Sequence, residues 1–491
     1  MTRFVLSALL LTLSLGLAGC GGGGSSAAET PGISASVSVS PNRFEVAVNA
    51  GEMPPVQTTT LTFQNVPPAA VFLTYNFTGQ VVDTLNLRAG DQTAVTVDVF
   101  LRPDLQPGSY QDGFEVEVCL DRECRQHVQG SPLRFTVSLT VAGEVSAPPS
   151  QWPSLPVLGH LELGHDVVEA AYSRSQEALV MVSSAPTNAL HVYRPLTGER
   201  FELPLAEAPT ALAVSPDGRT VVTGHDSSIT YARLDNLVAG GIPEPRRLDV
   251  SAPVGALALS NRGRVYVVPR VGPDARLRSV GVESNTESPS GSPVRAGSRM
   301  VWAIQESALY LVPPAAVPGD LEKHLLTLDL VLEVRFAPNR GLHDTCGDVW
   351  INERGTTLYT ACGNTFRASP DQALDMTYAG RLQLSFPRQH ARILSLSQSD
   401  VLEELLLVET DAPRCDAPQA TGEPCGSRVA VYQSESMSRI DVYQMPLLVV
   451  AEQEIPQQGM FVFHGGDGQS AYLVSRGIDA DSDRFFVSVL R

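Results

Sequence analysis

The stretch Ala211-Leu212-Ala213-Val214-Ser215-Pro216-Asp217-Gly218-Arg219-Thr220-Val221-Val222-Thr223-Gly224 decides how the larger part of the chain is read. Two apolar runs flank Pro216-Asp217-Gly218-Arg219, where the glycine supplies the positive φ that a tight hairpin requires. The phrase recurs. Ala170-Ala171-Tyr172, Ala256-Leu257-Ala258-Leu259-Ser260, Val301-Trp302-Ala303-Ile304, Val349-Trp350-Ile351-Asn352, Ile393-Leu394-Ser395-Leu396 and Met460-Phe461-Val462-Phe463 each precede a turn and a second apolar strand. Asn261-Arg262-Gly263-Arg264, Glu353-Arg354-Gly355-Thr356 and Gly466-Asp467-Gly468-Gln469 are turns of the same kind. Equivalent positions on the second strands are Val180, Val222, Tyr266, Tyr310, Tyr359, Leu406 and Tyr472, spaced by 42, 44, 44, 49, 47 and 66 residues. A four-stranded unit of this length cannot bury its own two faces and must stack on its neighbours, so residues 155–491 are expected to form a seven-bladed β-propeller. To join its ends, residues near 157–163 are expected to add an outer strand to the blade that 485–490 completes, because an unpaired edge invites aggregation.

Upstream, residues 33–144 show strands with period-two alternation. Candidates are 35–39, 44–48, 59–63, 71–77, 93–101, 113–119 and 133–141. In the last of these, Phe135, Val137, Leu139 and Val141 alternate with Arg134, Thr136, Ser138 and Thr140. About seven strands in such a length suit an immunoglobulin-like β-sandwich. The fold class is therefore all-β, with the sandwich followed, after a Pro/Ser-rich linker at 145–154, by the propeller. The 40 Gly and 36 Pro spread along the 491 residues favour short strands and tight turns over long helices.

The N-terminus carries an address. Residues 4–17 form an apolar run too short to span a bilayer but of the length of a signal-peptide core, and it leads into Leu17-Ala18-Gly19-Cys20. This resembles the bacterial lipobox. The resemblance implies removal of residues 1–19, acylation of the Cys20 thiol and, with Gly21 rather than Asp after the cysteine, an outer-membrane location. Several acyl chains at about 0.8 kcal/mol per buried methylene give a stable hold on the membrane. Residues 20–32, with Gly21-Gly22-Gly23-Gly24-Ser25-Ser26, form a flexible tether. The net charge of −18 repels phosphate backbones, so no nucleic-acid partner is expected. Six further cysteines fall into local pairs, and in an oxidising compartment these read as the disulfides Cys119–Cys124, Cys346–Cys362 and Cys415–Cys425. A zinc site would need a second close pair or spaced histidines beside Cys119 and Cys124, so no metal site is assigned.

Residues 105–110 and 113–119, with Cys119-Leu120-Asp121-Arg122-Glu123-Cys124 and Gly130-Ser131-Pro132, resemble bacterial Ig-like modules of the BACON type. Those modules are accessory, and some are suspected of binding glycans. The repeats resemble propellers of the YVTN and lactonase-like superfamily, most clearly over residues 211–224. With three Trp in the chain and no Gly-His…Trp-Asp phrase, quinoprotein and true WD40 readings are disfavoured and no cofactor is expected.

Three places set a histidine beside a carboxylate: His225-Asp226, His343-Asp344 and His464-Gly465-Gly466-Asp467. Adjacent side chains on an extended segment point apart, so these read as turn residues, and no catalytic residue is assigned. Asp479-Ala480-Asp481-Ser482-Asp483 begins like a calcium loop, but Arg484 and Leu490 stand where such a loop needs Gly and Glu. The expected function is a membrane-anchored binding or scaffold protein whose propeller recognises a protein or glycan. The alternative is a lactonase-type hydrolase with a divalent metal in the central channel. If Cys20 is the acyl acceptor, labelled fatty acid enters the mature protein and Cys20→Ser abolishes both labelling and processing; label that survives the substitution excludes the anchor.

Overall fold

The computed structural model describes residues 35–491 except 51, 67–70, 78, 90–92, 122–123, 144–151, 242–243, 274, 289–291, 304–306, 315–320, 328–329, 339–340, 342, 387–390, 412–425, 451–452 and 479–483. Cys20, the tether, Cys415, Cys425 and the Asp479–Asp483 segment lie outside the described residues. The chain divides into two compact units, Met1–Val145 and Ser146–Arg491.

The first unit contains β1 (Ser36–Ser40), β2 (Arg43–Asn49), β3 (Gln57–Gln64), β4 (Phe72–Phe77), β5 (Val82–Ala89), β6 (Ala94–Leu101), β7 (Gly108–Cys119) and β8 (Leu133–Ala142). They form two four-stranded sheets, ordered β1-β3-β6-β5 and β2-β8-β7-β4, with β2 parallel to β8. Alternation places Phe44, Val46 and Val48 of β2 and Phe135, Val137 and Leu139 of β8 in one apolar cluster with Leu61, Leu85 and Val97 of the other sheet. The sequence pattern missed β5. Its register slips between Val82 and Thr84, and Thr84, Asn86 and the facing Asp98 of β6 are buried polar residues, so alternation fails there. Arg88 Nε and Nη2 each donate to Asp98 at 2.7 Å, and Thr58 Oγ1 adds a third bond at 3.0 Å, which satisfies the buried carboxylate.

In the second unit, the described residues form β9 (Gly159–Leu163), seven four-stranded antiparallel sheets, one two-stranded hairpin and a short helix. We number the four-stranded sheets I to VII. Their first strands are Glu169–Ser173, Ala211–Val214, Val254–Leu259, Arg299–Ala303, Val349–Ile351, Ala391–Ser399 and Gln457–His464. Sheets I to VI take four consecutive strands in chain order; sheet VII takes three and is completed by β9, antiparallel to Phe485–Val489. The expected joining of the ends thus occurs. This serial stacking of four-stranded meanders is the arrangement of a β-propeller.

The repeat alignment is visible in the register. Val180, Val222, Tyr266, Tyr310, Tyr359, Leu406 and Tyr472 stand opposite Ala171, Ala213, Ala258, Val301, Trp350, Ser397 and Phe463 of the first strands. Gly218, Gly263, Gly355 and Gly468 have φ of 71°, 71°, 70° and 65°, the left-handed conformation their turns need. Neighbouring sheets share apolar clusters: Val180 and Val192 with Val221 between I and II, Leu406 and Val408 with Leu473 between VI and VII, and Leu179 and Met181 with Tyr472 and Phe485 between VII and I. Bonds between neighbouring sheets reinforce this, with Asp217 N–H donating to Asn261 Oδ1 of the next turn at 3.0 Å and Gly466 N–H to Tyr172 Oη of the sheet I first strand at 3.0 Å.

The sulfurs of Cys119 and Cys124, and of Cys346 and Cys362, lie at disulfide distance, with Cα separations of 5.0 and 5.2 Å. Cys346 and Cys362 flank the Val349–Ile351 and Thr357–Thr360 hairpin just outside its strands.

Between sheets IV and V, Lys323 is fully buried and its Nζ donates to Asp375 Oδ2 at 2.9 Å and to Ser369 O at 3.0 Å, while Tyr310 Oη donates to Asp375 Oδ1 at 2.7 Å. Removing one member strands the other. Lys323→Met should destabilise the second unit by about 3–5 kcal/mol, and adding Asp375→Leu should recover most of the loss, as chemical denaturation of the three proteins would show.

Candidate functional site

The first strands of all seven sheets line one cavity of about 470 Å³. Its wall carries four aromatic residues, Tyr172 of sheet I with Phe461 and Phe463 of sheet VII, and Trp350 of sheet V. The first strands bring these positions to one cavity from residues nearly 300 apart in sequence.

Two charged groupings share the cavity. Arg299, from the start of the sheet IV strand, lies 3.4 Å from Glu169 of sheet I and also faces Asp348, which precedes the sheet V strand. Burial raises the Glu169 and Asp348 carboxyls above their ordinary range, and the Arg299 guanidinium opposes that rise. Asp348 Oδ1 accepts the Val349 N–H at 2.8 Å. In the second grouping, Arg174 pairs with Glu353, whose Oε2 accepts the Asp400 N–H at 3.0 Å.

Next to Arg174 stands a third set. Ser397, in the sheet VI first strand, and His464, at the end of the sheet VII first strand, both line the cavity. Ser397 Oγ is 2.9 Å from His464 Nδ1, and His464 Nε2 is 3.0 Å from Glu404 Oε1. Arg491 also pairs with Glu404. Burial, reinforced by Arg174, pushes the His464 imidazole down to about 4, so it is neutral at neutral pH.

The histidines singled out by sequence separate in space. His225 is buried and bonded to Ala208 O at 3.1 Å and Thr230 Oγ1 at 2.9 Å, whereas Asp226 turns to Arg270 at 2.6 Å. His343 stacks on Tyr378 with ring centroids 3.9 Å apart. His464 is different: its carboxylate partner is Glu404 of the neighbouring sheet, while Asp467 accepts bonds from Ser470 in its own turn. Ser397 and Glu404 carried no sequence signal, since they lie in ordinary strands and meet His464 only through sheet stacking. In the first unit, ligand atoms of Cys119, Cys124 and His127 lie within 4.8 Å of one another, but pairing of the two cysteines consumes the thiolates a zinc ion would require.

No family model matches the chain, and no curated protein matches it. Among solved structures, the chain is similar to the Cps50 (Swd1) β-propeller domain of Myceliophteria thermophila, at 12% identity and a TM-score of 0.49, over 68% of this chain and 98% of that one.

The Glu169, Asp348 and Arg299 grouping makes a directional prediction. Because both carboxyls are raised in the folded state, they bind protons more tightly there than when unfolded, so their contribution worsens as pH rises from the unfolded value through the folded one. Arg299→Met removes the compensating charge. Its cost should be about 2 kcal/mol at neutral pH, below that of a fully enclosed pair because the Arg299 side chain is 42% exposed, and should shrink towards about pH 4 in denaturant titrations.

Proposed function

We propose that this protein is an exported lipoprotein that acts by binding, with the central cavity of a seven-bladed propeller as its recognition site. In this reading Cys20 anchors the chain to the outer membrane, the tether and a BACON-like immunoglobulin sandwich set the propeller away from the lipid, and the ligand is a protein or glycan. The observation that carries it is the convergence of all seven first strands on one cavity with aromatic and charged walls. A ligand entering there meets flat apolar surface for stacking and fixed charges for orientation, the mix that recognition sites use. The pairing of β9 with Phe485–Val489 supports the rigidity such a site needs. Cys119–Cys124 and Cys346–Cys362 at disulfide distance agree with an oxidising compartment.

The reading is tested with a photo-crosslinking residue placed at Leu394, which lines the cavity and is 38% exposed, or at Leu332, on the outer strand of sheet IV and 70% exposed. A discrete adduct from position 394 in intact cells, absent at 332 and lost on Trp350→Ala, is expected. Equal adducts at both positions, or none at 394, would refute recognition through the cavity.

A further inference from the structure

We infer that Ser397 is a nucleophile activated by His464, and that the central cavity accepts and cleaves carboxylic esters. The inference does not rest on the binding reading above. It begins with proton placement. Glu404, paired with Arg491, is the acceptor of this contact, so the His464 proton sits on Nε2 and the lone pair on Nδ1. Ser397 Oγ accepts the His464 backbone N–H at 2.9 Å, which leaves its own proton to donate to Nδ1, also at 2.9 Å. The result is nucleophile, base and orienting carboxylate in series, each within hydrogen-bond reach. Serine contacts Nδ1 and the acid Nε2. Either nitrogen can serve as base, provided that the other is held protonated.

A neighbouring serine shows what a purely structural role looks like. Ser395 Oγ accepts the Val462 N–H at 3.0 Å across the same pair of strands, with no imidazole beside it. Ser397 repeats that backbone contact and adds the histidine. Its surroundings suit acyl chemistry: aromatic residues of the cavity offer apolar surface, and the Arg174 guanidinium, which lines the same cavity and is close enough to His464 to depress its basicity, offers positive charge to a developing oxyanion.

The reaction balances without a further reagent beyond water. Oγ bonds to the acyl carbon as its proton passes to Nδ1. The bond from that carbon to the leaving alcohol then breaks, and Nδ1 returns the proton to the departing oxygen. Water, deprotonated by the same nitrogen, forms the product acid and breaks the ester to Oγ, which recovers its proton. Esters rather than amides are the fitting class, because an alkoxide is a far better leaving group than an amide anion and the ester carbonyl, less stabilised by resonance, needs less help from a base of lowered basicity.

Arg174, Glu353, Glu404 and Arg491 are the charged groups around His464, and burial, with Arg174 adding to it and Glu353 opposing it, leaves the imidazole unprotonated down to mildly acid pH. The rate should therefore stay level from neutral to about pH 5 and fall near 4, where the base becomes protonated.

The full-length protein is treated with an aryl fluorophosphonate and mapped by peptide mass spectrometry, in parallel with hydrolysis of short p-nitrophenyl esters. An adduct on Ser397 is expected, lost in Ser397→Ala and slowed about 100-fold or more in His464→Gln. Glu404→Gln, which alters only the orientation and charge behind the base, should move the acid limb to lower pH as well as lowering the rate. Thermal melts of each variant distinguish loss of activity from loss of fold. No adduct on Ser397 in the unsubstituted protein, or an adduct that a folded His464→Gln forms at the original rate, overturns the inference.

Discussion

The backbone hydrogen bonds between β9 and the Phe485–Val489 strand carry the rest of the second unit. Without them sheet VII would have three strands and a bare edge, and the apolar cluster of Leu163, Leu179, Met181, Tyr472 and Phe485 would lose part of its wall. Each sheet in the array buries a face only against the next, so a gap at the join exposes both of its flanks. The bidentate pair of Arg484 with Glu162, at 2.7 and 2.6 Å, runs along this join, but it is exposed and contributes little beside the ladder and the apolar contact. The joining strand is therefore the costliest place in the unit to weaken, although neither of its two segments is long.

How much of this was legible follows from where the physics is local. A hairpin turn needs glycine at a left-handed position, and the spacing of second-strand residues follows from a meander of fixed length, so the repeats could be read from the chain and the register agrees at all seven positions. Strand β5 was not legible, because a register slip and buried polar residues break the alternation on which recognition of a strand depends. The Lys323 and Asp375 pair was equally hidden. Each residue reads alone as an exposed charge, and only the packing of sheet IV on sheet V places both in the interior.

The cavity shows the same limit more sharply. Sequence proximity suggested His464 with Asp467, yet the turn directs Asp467 to Ser470, and the strand end hands His464 to Ser397 and Glu404. Those partners lie 67 and 60 positions away, about the length of one repeat with its insertion. Groups on the first two strands of one sheet and the first strand of the next meet at about repeat spacing, beyond the reach of any close motif.

The polar groups of the cavity are held by neighbours from different sheets, so their geometry is a property of the stacked array rather than of any one repeat. Glu169 reaches sheet IV, Glu353 reaches sheets I and VI, and His464 reaches sheet VI. Moving one sheet by a fraction of an ångström would loosen several of these contacts together, because tightly packed faces transmit displacement. The buried carboxyls Glu169 and Asp348 oppose folding on their own, and the apolar clusters between sheets must outweigh that cost. A site assembled in this way is rigid only while every seam holds, which links the strand pairing at the join of the array to the hydrogen bond between Ser397 and His464.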